Sequence, residues 1–220
     1  MNRNMKILAS AIILALLGWV AYAQVSPKQD GAMSGMDHSK MAMDEMSDAR
    51  KAYESAMATM MKGMMQPMTG KADLDFVIGM IPHHQGAVDM AKVALQYGKD
   101  AEIKKLAEGV VSSQEGEITF MHNWLSKADQ AALPVSPEAT KANEAAMATM
   151  MKNMNMQMTG NADVDFVKGM IPHHQGAIDM TKVALQYVKD PALLKLANDI
   201  ITAQEGEIKF MNDWLKRNGR

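Results

Sequence analysis

"GMIPHHQGAVDM" occupies Gly79–Met90, and "GMIPHHQGAIDM" occupies Gly169–Met180. The two stretches are the centre of a longer duplication. Tyr53–Leu125 aligns on Asn143–Leu215 at a shift of 90 positions without a gap, with 48 of 73 positions identical. Self-similarity at a fixed spacing marks one structural unit used twice. Both copies read MATMMK, MTG, GMIPHHQGA, KVALQY, QEGEI and FM..WL in that order. Strand-like alternation is absent, and Met, Ala, Lys, Gln and Glu favour helix.

Each copy therefore predicts helices. The first covers the MATMMK stretch and stops at Gly70 or Gly160. A second opens near Asp73 or Asp163 and runs to Tyr97 or Tyr187, with a kink expected at Pro82 or Pro172. A third follows the N-cap candidates Asp100 and Asp190 and ends near Leu125 and Leu215. The expected fold is all-α, with two tandem helical bundles of about three main helices each that pack together, because a unit of roughly 75 to 80 residues has only just enough core. The boundaries read as residues 1–23 for an export signal, 24–50 for a flexible arm, 51–127 for the first repeat, 128–140 for a linker and 141–220 for the second repeat.

On an ideal helix at about 100° per residue, Met80, His83 and Met90 fall within about 80° of one another, whereas His84 points about 100° away from His83. Adjacent histidines so placed cannot comfortably hold one ion together. One histidine of each pair, His83 or His84 and His173 or His174, is then the candidate ligand, with Met80 and Met90 or Met170 and Met180 beside it. The blander reading, a core histidine bonded to a carbonyl or carboxylate, is weakened by the repetition and by the flanking thioethers.

Composition narrows the chemistry. The chain has 25 methionines, no cysteine and a net charge of -2. No basic stripe suggests a nucleic-acid surface. Arg3 and Lys6, the apolar run Ile7–Val20 and Ala21-Tyr22-Ala23 follow the order of a secretory signal, so a periplasmic or otherwise exported chain is expected, held at a membrane only if that segment stays uncleaved. Absence of cysteine suits an oxidising compartment. Met33, Met36, His38, Met41, Met43 and Met46 crowd a segment with almost no other large apolar residue, which reads as a ligand-bearing arm. Met61, Met64, Met151 and Met154 lie on helical stripes that serve equally as core. Thioethers need no deprotonation and select Cu(I), while imidazole suits either copper state. Cu(I) is the expected cargo, with Cu(II) and Ag(I) as alternatives. Glu115, Glu117, Glu205 and Glu207, or Asp89 and Asp179, are candidates to bond the second nitrogen of a metal-bound histidine. His122 becomes Asn212 in the second copy, so the shared chemistry does not need it.

With GMIPHHQGA.DM, Q.GEI and FM..WL in hand, each repeat resembles the family called, in words, domain of unknown function three-oh-five. The resemblance implies a ferritin-like helical bundle and, for methionine-rich duplicated members, a periplasmic copper-binding role in copper resistance. It implicates Met80, His83, His84 and Met90, and Met170, His173, His174 and Met180. The expectation is a copper-binding protein that sequesters the ion or hands it to an efflux or chaperone component, and not an enzyme. A ferritin-like metal oxidase would need Glu-x-x-His motifs, which neither repeat contains. A metal-free, methionine-rich interaction module is the other alternative.

Overall fold

The computed structural model describes residues 38–154 and 157–220, with side chains from Asp48 onward. The export signal and Met33 and Met36 of the arm lie outside the described residues. Six helices follow in order: α1 His38–Met64, α2 Ala72–Tyr97, α3 Ala101–Lys127, α4 Pro137–Asn153, α5 Ala162–Tyr187 and α6 Pro191–Arg217. The described residues are all-helical, as expected, with three helices from each repeat.

α1 starts at His38, so the backbone of His38, Met41, Met43 and Met46 is helical where a flexible arm was expected. Scarcity of large apolar residues argued for coil there. Met, Ala, Lys and Glu nevertheless prefer helix, and extending a formed helix avoids the cost of nucleation. Between α3 and α4 the chain runs through 128–136. Ser136 caps α4 by accepting from Ala139 N–H, and Pro137 takes the first turn.

The loop before each second helix is built the same way twice. Gly70 and Gly160 adopt φ of 82° and 85°. The carboxylate of Asp75 accepts from Thr69 N–H, Thr69 Oγ1 and Gly70 N–H, and Asp165 repeats the pattern with Thr159 and Gly160. Pro82 and Pro172 sit inside helices that continue past them. Pro82 faces Gly63, where an added Cβ would stand 2.7 Å from the proline Cβ.

α2 and α5 form the centre and pack on each other; α1 and α3 cover α2, while α4 and α6 cover α5. The core is shared rather than divided by repeat. One cluster joins Met60, Met64, Phe76 and Met80 to Met150, Met180, Leu193 and Ile200. The other joins Tyr53, Met90, Ile103 and Val110 to Phe166, Met170, Met211 and Trp214. Reciprocal bonds close the junction. Asp73 accepts from Lys189 and Asp190 N–H, and Asp163 accepts from Lys99 and Asp100 N–H. Trp124 Nε1 donates to Asp190, and Trp214 Nε1 donates to Asp100. The repeats are thus related by an approximate two-fold, each reaching into the other.

Two glycines of similar sequence setting should respond oppositely to alanine. At Gly86 a Cβ would lie 2.7 Å from both Cγ and Sδ of Met60, whereas at Gly116 it would meet nothing within 4 Å. Gly86→Ala should cost about 1–3 kcal/mol through overpacking. Gly116→Ala should add about 0.5–1 kcal/mol through helix propensity. Urea unfolding of the two variants checks the pair, and equal shifts would show that Gly86 is not a packing notch.

Candidate metal centre

His83, His84, His173 and His174 are all fully buried. They lie where α2 and α5 cross, because each central helix is covered on nearly every side. The crossing stacks His83 on His173, with ring centroids 3.9 Å apart and planes tilted by 48°. Within each pair the rings stand apart, 6.3 Å for His83 and His84 and 6.1 Å for His173 and His174. The adjacent histidines point in different directions, as the helix geometry required. Instead the close partner of each first histidine comes from the other repeat.

Six of the eight ring nitrogens have no hydrogen-bond partner: both nitrogens of His83 and of His173, and Nδ1 of His84 and His174. The other two are held from outside. His84 Nε2 lies 2.6 Å from Glu117 Oε2, and His174 Nε2 lies 2.5 Å from Glu207 Oε2. With the carboxylate accepting the Nε2 proton, Nδ1 is left as a lone-pair donor to the core. Of the candidate acids, Glu117 and Glu207 take that role. Asp89 and Asp179 accept instead from Gln85 and Gln175, and Glu115 accepts from Lys92.

Thioethers complete the surroundings. Gly79, His83 and Gly86 share one face of α2. The methyl end of Met180 lies 3.3 Å from where a Cβ on Gly79 would be, and Met60 Sδ fills the notch at Gly86. Met150 Sδ fills the matching notch at Gly176, 2.9 Å from the would-be Cβ. Among the described residues no group of three or more His, Asp or Glu side chains could hold one ion. The thioethers of Met60 and Met150 thus pack on α2 and α5 one turn from His83 and His173, and imidazole nitrogen and thioether sulfur are donors of the kind that suit a soft monovalent ion better than a hard one.

Burial holds the His83 and His173 imidazoles well below their ordinary pKa, and the neighbouring imidazoles add to the effect. Both are then neutral and able to bind metal without first losing a proton. The sign for stability follows. Below the unfolded value of about 6.5 the unfolded chain takes up protons that the folded core refuses, so stability falls as pH drops through that window. Each such imidazole removes about 1.4 kcal/mol per pH unit until its own depressed pKa is reached. Thermal unfolding of the metal-free chain between about pH 7.5 and pH 5 measures this; a midpoint that holds steady would mean the histidines are not held neutral.

The remaining sequence candidates separate clearly. Met80 and Met180 lie in one core cluster, and Met90 and Met170 lie in the other. Met64 and Met154 are buried, Met61 is half-buried, and Met151 is exposed. His122 is exposed. Met60 and Met150 were missed, although they sit on the same methionine stripes; the missing clue was the glycine three residues after His83 and His173. Gln114 and Gln204 were also missed. Each is buried with an unpartnered Oε1, and each opens the repeated QEGEI motif.

Comparisons with known proteins agree with the all-helical fold. CopM solved in the Cu(I)-bound form is 35% identical, with a TM-score of 0.51, and the match covers 66% of this chain and 96% of that one. CopM has also been solved with Cu(II) and with Ag bound. A DUF305 protein from Streptomyces coelicolor matches with a TM-score of 0.55 and 31% identity over 69% of this chain and 95% of its own. Uncharacterized protein L153 of Acanthamoeba polyphaga mimivirus is 47% identical over 53 residues, 24% of this chain. The match spans only 35% of that relative's length. The family model described as "Domain of unknown function (DUF305)" matches residues 73–215, both repeats together, and the chain belongs to the DUF305 family.

Proposed function

We propose that this chain is an exported copper-binding protein that takes Cu(I) at the crossing of α2 and α5, with Ag(I) and Cu(II) as further cargo. The observation that carries the reading is the set of six buried imidazole nitrogens without partners. Leaving so many buried polar atoms unsatisfied is costly unless something binds them. The thioethers of Met60, Met150 and Met180, packed against α2 and α5 at Gly86, Gly176 and Gly79, make that something soft. CopM, a relative solved with copper and with silver bound, supports the same class of cargo.

The protein acts by holding the ion and passing it on, to an efflux or chaperone component, and not by catalysis. Export rests on the leader-like first 23 residues. Among the described residues no helix is long and apolar enough to cross a membrane.

Anaerobic titration of the chain from Gln24 onward, against a Cu(I) chelator and with Zn(II) as control, tests the reading. Tight Cu(I) binding with weak Zn(II) binding is the expected result, and it should survive deletion of residues 24–37. Binding that vanishes with that deletion would move the site to the arm. No Cu(I) binding beyond the zinc control would leave a methionine-rich interaction module.

A further inference from the structure

α3 and α6 lie antiparallel, joined at both ends by the Trp124–Asp190 and Trp214–Asp100 bonds. Between them a cleft of 410 Å³ opens, lined by Glu102, Lys105, Leu106 and Gly109 of α3 and by Glu207 and Phe210 of α6. Glu207 belongs both to this cleft and to the buried centre. Its Oε2 holds His174 Nε2 at 2.5 Å. From His174 the ring-to-ring steps are 6.1 Å to His173 and 3.9 Å on to His83. Solvent and the centre of the crossing are thus linked by one carboxylate and a line of imidazoles.

The approximate two-fold is broken at this cleft. Advancing 90 positions replaces Gly109 by Asp199, while half-buried Leu106 corresponds to Leu196. A Cβ at Gly109 would meet nothing within 4 Å. Asp199, in contrast, pairs with Lys195, and Leu196 is buried. Glu117, the counterpart of Glu207, does not line the cavity at the other end of α3, whose walls include Phe120 and the connecting residues Ala128 and Leu133.

We propose that the α3–α6 cleft beside Glu207 is the route by which a soft monovalent ion reaches the centre, so that the histidines of the second repeat receive it first. The inference rests on the copper reading of the core. A carboxylate oxygen at the mouth, then imidazole, then thioether is a series of increasing softness, which draws Cu(I) inward. Apolar Leu106 and Phe210 form part of the walls.

Stopped-flow mixing of the full mature chain with a weak chromophoric Cu(I) chelate, followed by loss of the chelate's absorbance, tests this directly. Gly109→Trp fills the open side of the cleft from an exposed helix position, and Gly109→Leu is a smaller plug should tryptophan disturb folding. Uptake should slow about tenfold or more in the plugged variants, with the final number of ions bound unchanged. Asp199→Trp, at the related position, should take up Cu(I) at the parent rate. Parent-rate uptake by the plugged variants, or equal slowing by Asp199→Trp, would overturn the route. Absence of uptake in the parent chain would be a different result, sinking the copper reading itself.

Discussion

Replacing His83 and His173 together by leucine should leave the metal-free protein at least as stable as the parent, while abolishing its stabilisation by Cu(I). Both imidazoles are fully buried, and none of their four ring nitrogens has a partner. An unsatisfied buried polar group costs about 1–3 kcal/mol, so removing two polar rings in favour of apolar side chains of similar size relieves a penalty. The stacking lost at 3.9 Å offsets part of that gain. With copper present the order reverses. A ligand at a hundred times its Kd stabilises the native state by about 2.7 kcal/mol, and the leucine variant forgoes that increment. Thermal unfolding of parent and variant, each with and without Cu(I), reads both effects. A variant that loses several kcal/mol without metal, yet still gains from copper, would make these histidines structural.

Asp73→Ala should be strongly damaging although it is remote from the histidines. Asp73 is 2% exposed and accepts from the backbone N–H groups of Lys189 and Asp190, on the far side of the repeat junction. Asp190 in turn caps α6 through Ala192 and Leu193 and accepts from Trp124. Removing the carboxylate orphans two N–H groups at the point where the chain turns into α6. The expected loss is about 2–3 kcal/mol, since two bonds to a charged acceptor, the stronger class, are lost together. Asp73→Asn, which keeps one acceptor oxygen, should lose roughly half as much. Asp163→Ala should mirror the effect at Lys99 and Asp100, and the two losses should add because they share no partner. Urea unfolding checks the series. A loss below about 0.5 kcal/mol at Asp73 would show that the junction is held by apolar packing alone.

The duplication and the helix signals made the six helices legible, including the caps Asp100 and Asp190. The start of α1 was not, because a segment poor in large apolar residues gives no periodicity even when its residues prefer helix. Helix geometry correctly turned His83 and His84 to different directions. It could not reveal that both directions are interior, which follows from α2 being enclosed by α1, α3 and α5. Nor could a shift of 90 positions reveal the crossing. Repetition states that His83 and His173 are equivalent; only the two-fold packing of α2 on α5 makes them neighbours. Glu117 and Glu207 were visible as candidates, and the structure selects them by their hydrogen bonds. Met60 and Met150 were hidden for a different reason. Their sulfurs are placed by notches at Gly86 and Gly176, each on the next helix of the chain, and only the packing of the two helices shows the fit.

Anomalous diffraction from crystals of the Ag(I)-loaded protein would test the central claim most directly. The account predicts silver peaks at the crossing of α2 and α5, beside His83 and His173, with thioether sulfur in the coordination shell. Silver confined to exposed methionines such as Met65 and Met151, with the histidine core metal-free, would contradict it.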